Sequence, residues 1–194
     1  MKPQLKEMIL ISIFAALMVV GAKLSIPTPF GVPLTFQLFF AIYAGLLLTA
    51  RNALFSQLIY ILLGLIGLPV FAYGGGLPYI FNPTFGYILG FALTAFVIGY
   101  LMNGMVEIKL TKVLIICLIG YVLTYIVGNV YFYLIKNLYL DAPITLLNIF
   151  TIMIPYMIKD LVLLVTAAYS ATIVIPVLRK AGHITVRKQI AVDS

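Results

Sequence analysis

The sequence has five carboxylate side chains, Glu7, Glu107, Asp141, Asp160 and Asp193, and of these only Asp160 stands in the body of a long apolar run. An ionisable group placed there costs a few kcal/mol or more and is by default a functional site. Held in dry surroundings, a carboxylate is a charge-assisted acceptor for the N–H groups of a ligand. The neighbouring Lys159 carries the competing reading, in which the two charges only neutralise each other, but adjacent positions on a helix point about 100° apart and do not face one another. Four neutral polar residues can be set against Asp160: Thr35 and Gln37, which open the second apolar run just after Pro33, Asn82 in an uncharged loop, and Asn129 beside Gly128 in the fifth run. Capping and loop hydrogen bonds are the competing roles for Gln37 and Asn82; for Asn129 and Gln57 the expected role is contact between helices.

Little else in the chain could react. His183, the one histidine, sits in a basic C-terminal stretch and reads as a solvated residue. Cys117 lies within an apolar run, cannot form an intrachain disulfide and reads as helix packing. There is no H-E-x-x-H helix and no G-x-x-x-x-G-K-[ST] loop, so neither a zinc protease nor a nucleotide hydrolase is readable. The expectation is a protein that is not an enzyme and holds no cofactor or metal.

The elements that carry these residues are apolar throughout. Hydrophobic residues make up 64% of the 194 and charged residues 9%, against about a quarter charged in a soluble domain. A water-soluble fold of this size could not hide so much apolar side chain. The net charge of +7 does not point to nucleic acid, because the basic residues sit between apolar runs rather than on a polar, aromatic face. The runs are 8–22, 34–50, 53–68, 86–102, 113–135 and 149–178, and a membrane-spanning helix needs roughly 20 mostly apolar residues. The expected fold is an all-α integral membrane protein, a single bundle of six transmembrane helices over the whole chain, with a basic cytoplasmic tail at 179–194. Three prolines and a glycine break the chain between Ser25 and Pro33, Arg51-Asn52 reads as the tight turn between the second and third helices, and Gly74-Gly75-Gly76 with Pro78 and Pro83 makes 69–85 a loop. That uncharged, aromatic loop is too apolar to float in water, and its Leu77, Tyr79 and Phe81 are expected to cover a site as a lid. With a sixth helix starting near Ile149 on the outer side, Asp160 falls about 16 Å below that end. There is no repeat of 20 to 50 residues and no pair of inverted halves.

Basic residues accumulate on the cytoplasmic side. With the N-terminus inside, nine of twelve fall there: Lys2, Lys6, Arg51, Lys109, Lys112, Arg179, Lys180, Arg187 and Lys188. Lys23 and Lys136 fall outside and Lys159 in the membrane, so both termini are expected in the cytoplasm and the 69–85 loop outside. A cleaved signal peptide over the first run is the rival, against which stands the lack of an A-x-A-like site where Lys23 lies.

Three ordered motifs, Ile26-Pro-x-Pro-x-x-Val-Pro-Leu-Thr-Phe-Gln37, Gly64-x-x-Gly-Leu-Pro-Val-Phe-Ala72 with Gly74-Gly-Gly76, and Asn82-Pro-Thr-x-Gly-Tyr-x-Leu-Gly-Phe91, together resemble the BioY family, whose members are the biotin-binding S components of energy-coupling factor transporters. The resemblance runs on through Ile154-Pro-Tyr-x-x-Lys-Asp-Leu161 and covers nearly the whole chain. It implies a six-helix, multi-pass subunit of the bacterial cell membrane, surrounded by lipid, that captures biotin and works with a transmembrane coupling subunit and two cytoplasmic ATPases. It also implies that the biotin headgroup is held near Asn82 and Asp160. Lys159 and Gln37 are additions on chemical grounds, and Thr35, Tyr87 and Gly75 complete the candidate substrate-binding set. Biotin's ureido ring has two N–H donors and one carbonyl acceptor, which a carboxylate and an amide can satisfy from opposite sides; its sulfur ring and tail suit Phe, Tyr and Met surface, and Lys159 is the nearest cation for its carboxylate. In related S components a small-residue stripe on the first helix meets the coupling subunit, which here selects Ser12, Ala15 and Ala16, although Val19 and Val20 stand where further small residues are expected. The alternatives are an S component for another vitamin, such as thiamin or riboflavin, and a membrane assembly protein whose Lys159 and Asp160 only pin helices together.

Overall fold

The computed structural model describes residues 5–182, so Lys2, His183, Arg187, Lys188 and most of the stretch read as a tail lie outside the described residues. Six α-helices follow in order, α1 (Leu5–Lys23), α2 (Gln37–Leu47), α3 (Ala50–Leu65), α4 (Phe85–Leu101), α5 (Leu110–Leu138) and α6 (Leu146–Lys180), with a short 3-10 helix at Leu77–Phe81. Three of them, α1, α5 and α6, are long and apolar enough to cross a membrane, while α2, α3 and α4 are apolar but shorter. The outward faces are as apolar as the core: Ile126 on α5 is 54% exposed and Val162 on α6 is 61% exposed. Monomeric soluble proteins rarely leave so continuous an apolar surface in water.

Several boundaries differ from the apolar runs, each for a local reason. α2 starts at Gln37 rather than Leu34, because Leu34 is held extended by two backbone hydrogen bonds of 2.9 Å with Ile26, and the Phe36 N–H goes to the Gly21 carbonyl at 3.0 Å. The turn between α2 and α3 falls at Leu48-Thr49, not at Arg51-Asn52. Thr49 is the N-cap, its side chain accepting from the Asn52 N–H, so Arg51 and Asn52 belong to the first turn of α3. α3 stops at Leu65, where Gly67 takes φ 108° and lets the chain reverse. α6 begins at Leu146, capped by Thr145, which puts Asp160 about 21 Å along the helix instead of about 16 Å.

α2 is the inner helix, touching each of the others, and α4 and α5 make the most intimate pair. Along their seam Gly86 lies against Tyr131 and Gly90 against the Thr124 backbone. One turn further the Thr94 hydroxyl donates to the Gly120 carbonyl at 2.6 Å and lies 2.7 Å from the Thr124 hydroxyl. Small residues at every fourth position let two backbones approach, and the threonines add interhelical hydrogen bonds. One end of the bundle is tied by Arg179, which donates to the Met105 and Val106 carbonyls at 2.7 and 2.6 Å, and by Lys6, which reaches the Gly182 carbonyl at 3.4 Å. At the other end Lys23 donates to the Phe71 carbonyl at 3.0 Å.

Replacing Gly90 by Leu tests the seam. A Cβ there would stand 3.0 Å from the Thr124 Cα and carbonyl oxygen, backbone atoms that cannot swing aside, and overpacking of this kind costs about 1–3 kcal/mol. Thermal unfolding of the detergent-solubilised protein should shift down accordingly; an unshifted transition means that α4 and α5 do not meet at Gly90.

Candidate functional site

A carboxylate in an apolar bundle has to be answered by the protein, and Asp160, only 7% exposed, is answered from two sides. The Tyr125 hydroxyl of α5 donates to Asp160 Oδ2 at 2.8 Å. Lys159 Nζ stands 2.6 Å from Oδ1. Adjacent positions were expected to diverge, and their Cβ atoms do; the four-carbon lysine stem is long enough to bring the ammonium back, and the Thr35 carbonyl, which accepts a hydrogen bond from the same ammonium, anchors it there. Lys159 thus meets the buried Oδ1 as a tight ion pair, and no other donor among the described residues reaches that oxygen.

Asp160 and Lys159 face a cavity of about 50 Å³. Val32, Pro33 and Thr35 of the α1–α2 connection and Gln37 at the start of α2 form one wall, Tyr87, Ile88 and Phe91 of α4 the opposite one, and Ala72, Tyr79 and Thr84 of the α3–α4 loop the roof. The connection is non-helical backbone held by α6: the Tyr156 hydroxyl donates to the Val32 carbonyl at 2.6 Å and lies 2.5 Å from the Thr28 hydroxyl. Gln37, 4% exposed, donates from Nε2 to the Tyr60 hydroxyl at 2.9 Å, and the Tyr87 hydroxyl donates to Asn129 Oδ1 at 2.6 Å. Burial raises the Tyr79 phenol above its ordinary range, which keeps it a neutral hydrogen-bonding group.

The cavity thus brings together Asp160, Lys159, Gln37, Thr35 and Tyr87. Asn82 and Gly75 stand outside its lining. Asn82 ends the 3-10 helix, and its Oδ1 accepts from the Thr84 N–H at 2.9 Å and the Thr84 hydroxyl at 2.8 Å, an Asx turn that sets Thr84 over the cavity. Gly75 is a packing position: a Cβ there would meet the Leu68 carbonyl oxygen at 2.1 Å, and the next residue, Gly76, donates its N–H to the Gly64 carbonyl at 2.7 Å. Of the expected lid residues only Tyr79 points inward; Leu77 and Phe81 are exposed, with Phe81 stacked on Tyr139 at 4.2 Å. On α1, Ser12 and Ala16 are exposed, whereas Ala15 is buried in the bundle. Sequence reading missed Tyr125 and Tyr156. The signal was present, because a tyrosine within an apolar run buries a hydroxyl that needs a partner.

The BioY family profile matches residues 1–180. A probable biotin transporter BioY of Lysinibacillus sphaericus is 39% identical over 179 residues, 92% of this chain and 91% of that protein. The putative biotin transporter BioYB of Bacillus subtilis is 34% identical over 180 residues, 90% of each, and the biotin transporter BioY of Rhodobacter capsulatus is 37% identical over 176 residues, 87% of this chain and 93% of that one. Among solved structures, the S-component for biotin from an ECF-type ABC transporter superposes with a TM-score of 0.69 at 25% identity, covering 84% of this chain and 89% of that one.

Removing the ammonium isolates the buried charge. Lys159→Met leaves Asp160 with Tyr125 alone, and breaking a buried pair costs about 3–5 kcal/mol; Lys159 is a quarter exposed, so about 3 kcal/mol of lost stability is expected by thermal or denaturant unfolding in detergent. Wild-type stability in this variant would mean that the ion pair is not formed.

Proposed function

The chain belongs to the BioY family, and we propose that the cavity roofed by the α3–α4 loop is where it captures biotin, as the S component of an ECF-type importer. The protein is a biotin transporter component and not an enzyme. The observation that carries the site is Asp160, a buried carboxylate that lines an aromatic cavity and is met there by one ammonium and one phenol. Biotin offers the complement, a flat ureido ring with two N–H donors on an apolar bicycle. Asn82, outside the lining of the described state, has its carbonyl oxygen occupied by Thr84, which leaves its amide N–H groups to donate to the ureido carbonyl once the roof resettles over the ligand. Lys159, held between Asp160 and the Thr35 carbonyl, belongs to the ureido end of the site, with Thr35, Gln37 and Tyr87 completing the wall. About 50 Å³ is room for one or two waters, well below the roughly 300 Å³ at the small end of ligand pockets. The described state is therefore closed, and biotin enters when the roof, hinged near Gly67 and Gly76, lifts.

Six crossings of a bacterial cell membrane, with both termini in the cytoplasm, complete the reading. α2 alone spans only about 16 Å of a hydrocarbon layer of about 30 Å. The α1–α2 connection supplies the rest of that crossing, and irregular backbone is tolerated at membrane depth where protein buries it, as Tyr156 and Lys159 do for Val32 and Thr35. The basic residues Lys6 and Arg179 share one end and the uncharged loop marks the other, in keeping with a cytoplasmic and an outer face. With no phosphate-cradling loop in its sequence, the chain draws on two separate ATPases through a coupling subunit, for which the exposed Ser12 and Ala16 stripe is the docking candidate.

Asp160→Asn should weaken biotin binding about ten- to a hundredfold, since a hydrogen bond to a charged group contributes about 1.5–3 kcal/mol and about 1.4 kcal/mol is tenfold. Biotin titration and thermal unfolding on the same purified variant separate this from a structural role, which would lower stability and leave affinity per folded molecule unchanged. For topology, Cys117 is buried and gives little background. A cysteine placed at position 180 should resist an impermeant thiol reagent added to intact cells, and one placed at Tyr73 should react; the reverse pattern would invert the assignment.

A further inference from the structure

We infer that Tyr125 is a positioning residue of the biotin site: by holding one oxygen of Asp160 it fixes the plane of the carboxylate, and so sets where the other oxygen stands for the ureido N–H. This rests on the biotin reading of the cavity given above.

The two oxygens of Asp160 are not equivalent. Oδ2 accepts the Tyr125 hydroxyl at 2.8 Å, while Oδ1 is met by the Lys159 ammonium and by no other donor among the described residues. A carboxylate rotates about its terminal torsion in a broad, two-fold well, and lysine's ammonium, a point charge on a flexible stem, does not prescribe that rotation. A phenol does, because its hydroxyl lies in the ring plane and the ring here is fixed. The Tyr125 ring is packed against Tyr121 at 4.9 Å and edge-on to Tyr87 at 6.1 Å. Both neighbours are themselves tied, Tyr121 by donating to the Met157 carbonyl at 3.1 Å and Tyr87 by donating to Asn129 at 2.6 Å. Three tyrosines thus form a rigid bracket from α4 and α5 whose one free adjustment, the Tyr125 hydroxyl, is spent on Asp160 of α6.

Tyr125→Phe keeps the ring and its packing and removes the positioning hydrogen bond. In the wild-type background it should weaken biotin binding about tenfold, a share of what the charged hydrogen bond supplies. The decisive comparison is the same substitution in Asp160→Asn. There the amide oxygen turns to the Lys159 ammonium, which stands 2.6 Å from the Oδ1 position, and the amide NH2 donates to the Tyr125 hydroxyl, so the lysine rather than the phenol sets which atom meets the ureido N–H. Tyr125→Phe should then cost clearly less than its roughly tenfold effect in the wild-type background. A role in packing alone predicts the same loss in both backgrounds, and that result, or native-like affinity in the single Tyr125→Phe variant, overturns the inference. Native-like affinity in Asp160→Asn alone instead overturns the biotin reading of the cavity, which keeps the two failures distinct. Thermal unfolding of all four proteins in detergent confirms that folded molecules are compared.

Discussion

A single negative charge in an apolar bundle has to be answered from within the protein, and much of the architecture follows from how Asp160 is answered. Its partners come from different elements: Lys159 from its own helix, Tyr125 from α5. Lys159 in turn is held by the Thr35 carbonyl on the α1–α2 connection. Each partner carries its own obligation, so the satisfaction of one carboxylate links α5, α6 and the entrance to α2. Leaving any of these groups unpaired in low-dielectric surroundings costs more than the net worth of the bond.

The same constraint explains the irregular backbone. Residues between Lys23 and Gln37 contain Pro27, Pro29 and Pro33 and cannot be helical, yet Val32 is buried and Thr35 lines the cavity. Their carbonyls are met by Tyr156 and Lys159, one turn apart on α6. The α3–α4 loop is treated alike: the Phe71 carbonyl takes Lys23 and the Ile80 carbonyl takes the Tyr131 hydroxyl at 2.5 Å, while the Phe71 ring is fully buried against Tyr60 and Tyr79. What looks from composition like an unstructured, glycine-rich link is a packed roof, in which Gly75, like Gly64 of α3, serves close approach.

Apolar run length and the sites of proline and glycine were legible in the sequence because they act locally. They determined that the protein is helical and built in six apolar segments, that 69–85 interrupts them, and that Asp160 sits where a charge needs a reason. The motif order, continuous over the chain, determined the family. Helix ends were off by a few residues wherever a distant partner claimed the backbone, as Ile26 claimed Leu34 and Gly21 claimed Phe36.

Only the tertiary structure decided which polar groups meet. Periodicity places Lys159 and Asp160 on diverging directions, but a long flexible side chain is steered by what lies beyond its own helix, and the Thr35 carbonyl lies there. Tyr125 and Asp160 are 35 residues apart in the chain, and no local rule pairs them; the pairing follows from the register in which α5 packs on α6. Asn82 shows the converse, a motif residue whose oxygen is spent within its own turn on Thr84. Sequence determines what each residue can offer, and packing between helices decides to whom it is offered, because hydrogen-bond reach is about 3 Å while the uncertainty in where two helices touch, read from sequence, is a whole turn of about 5.4 Å.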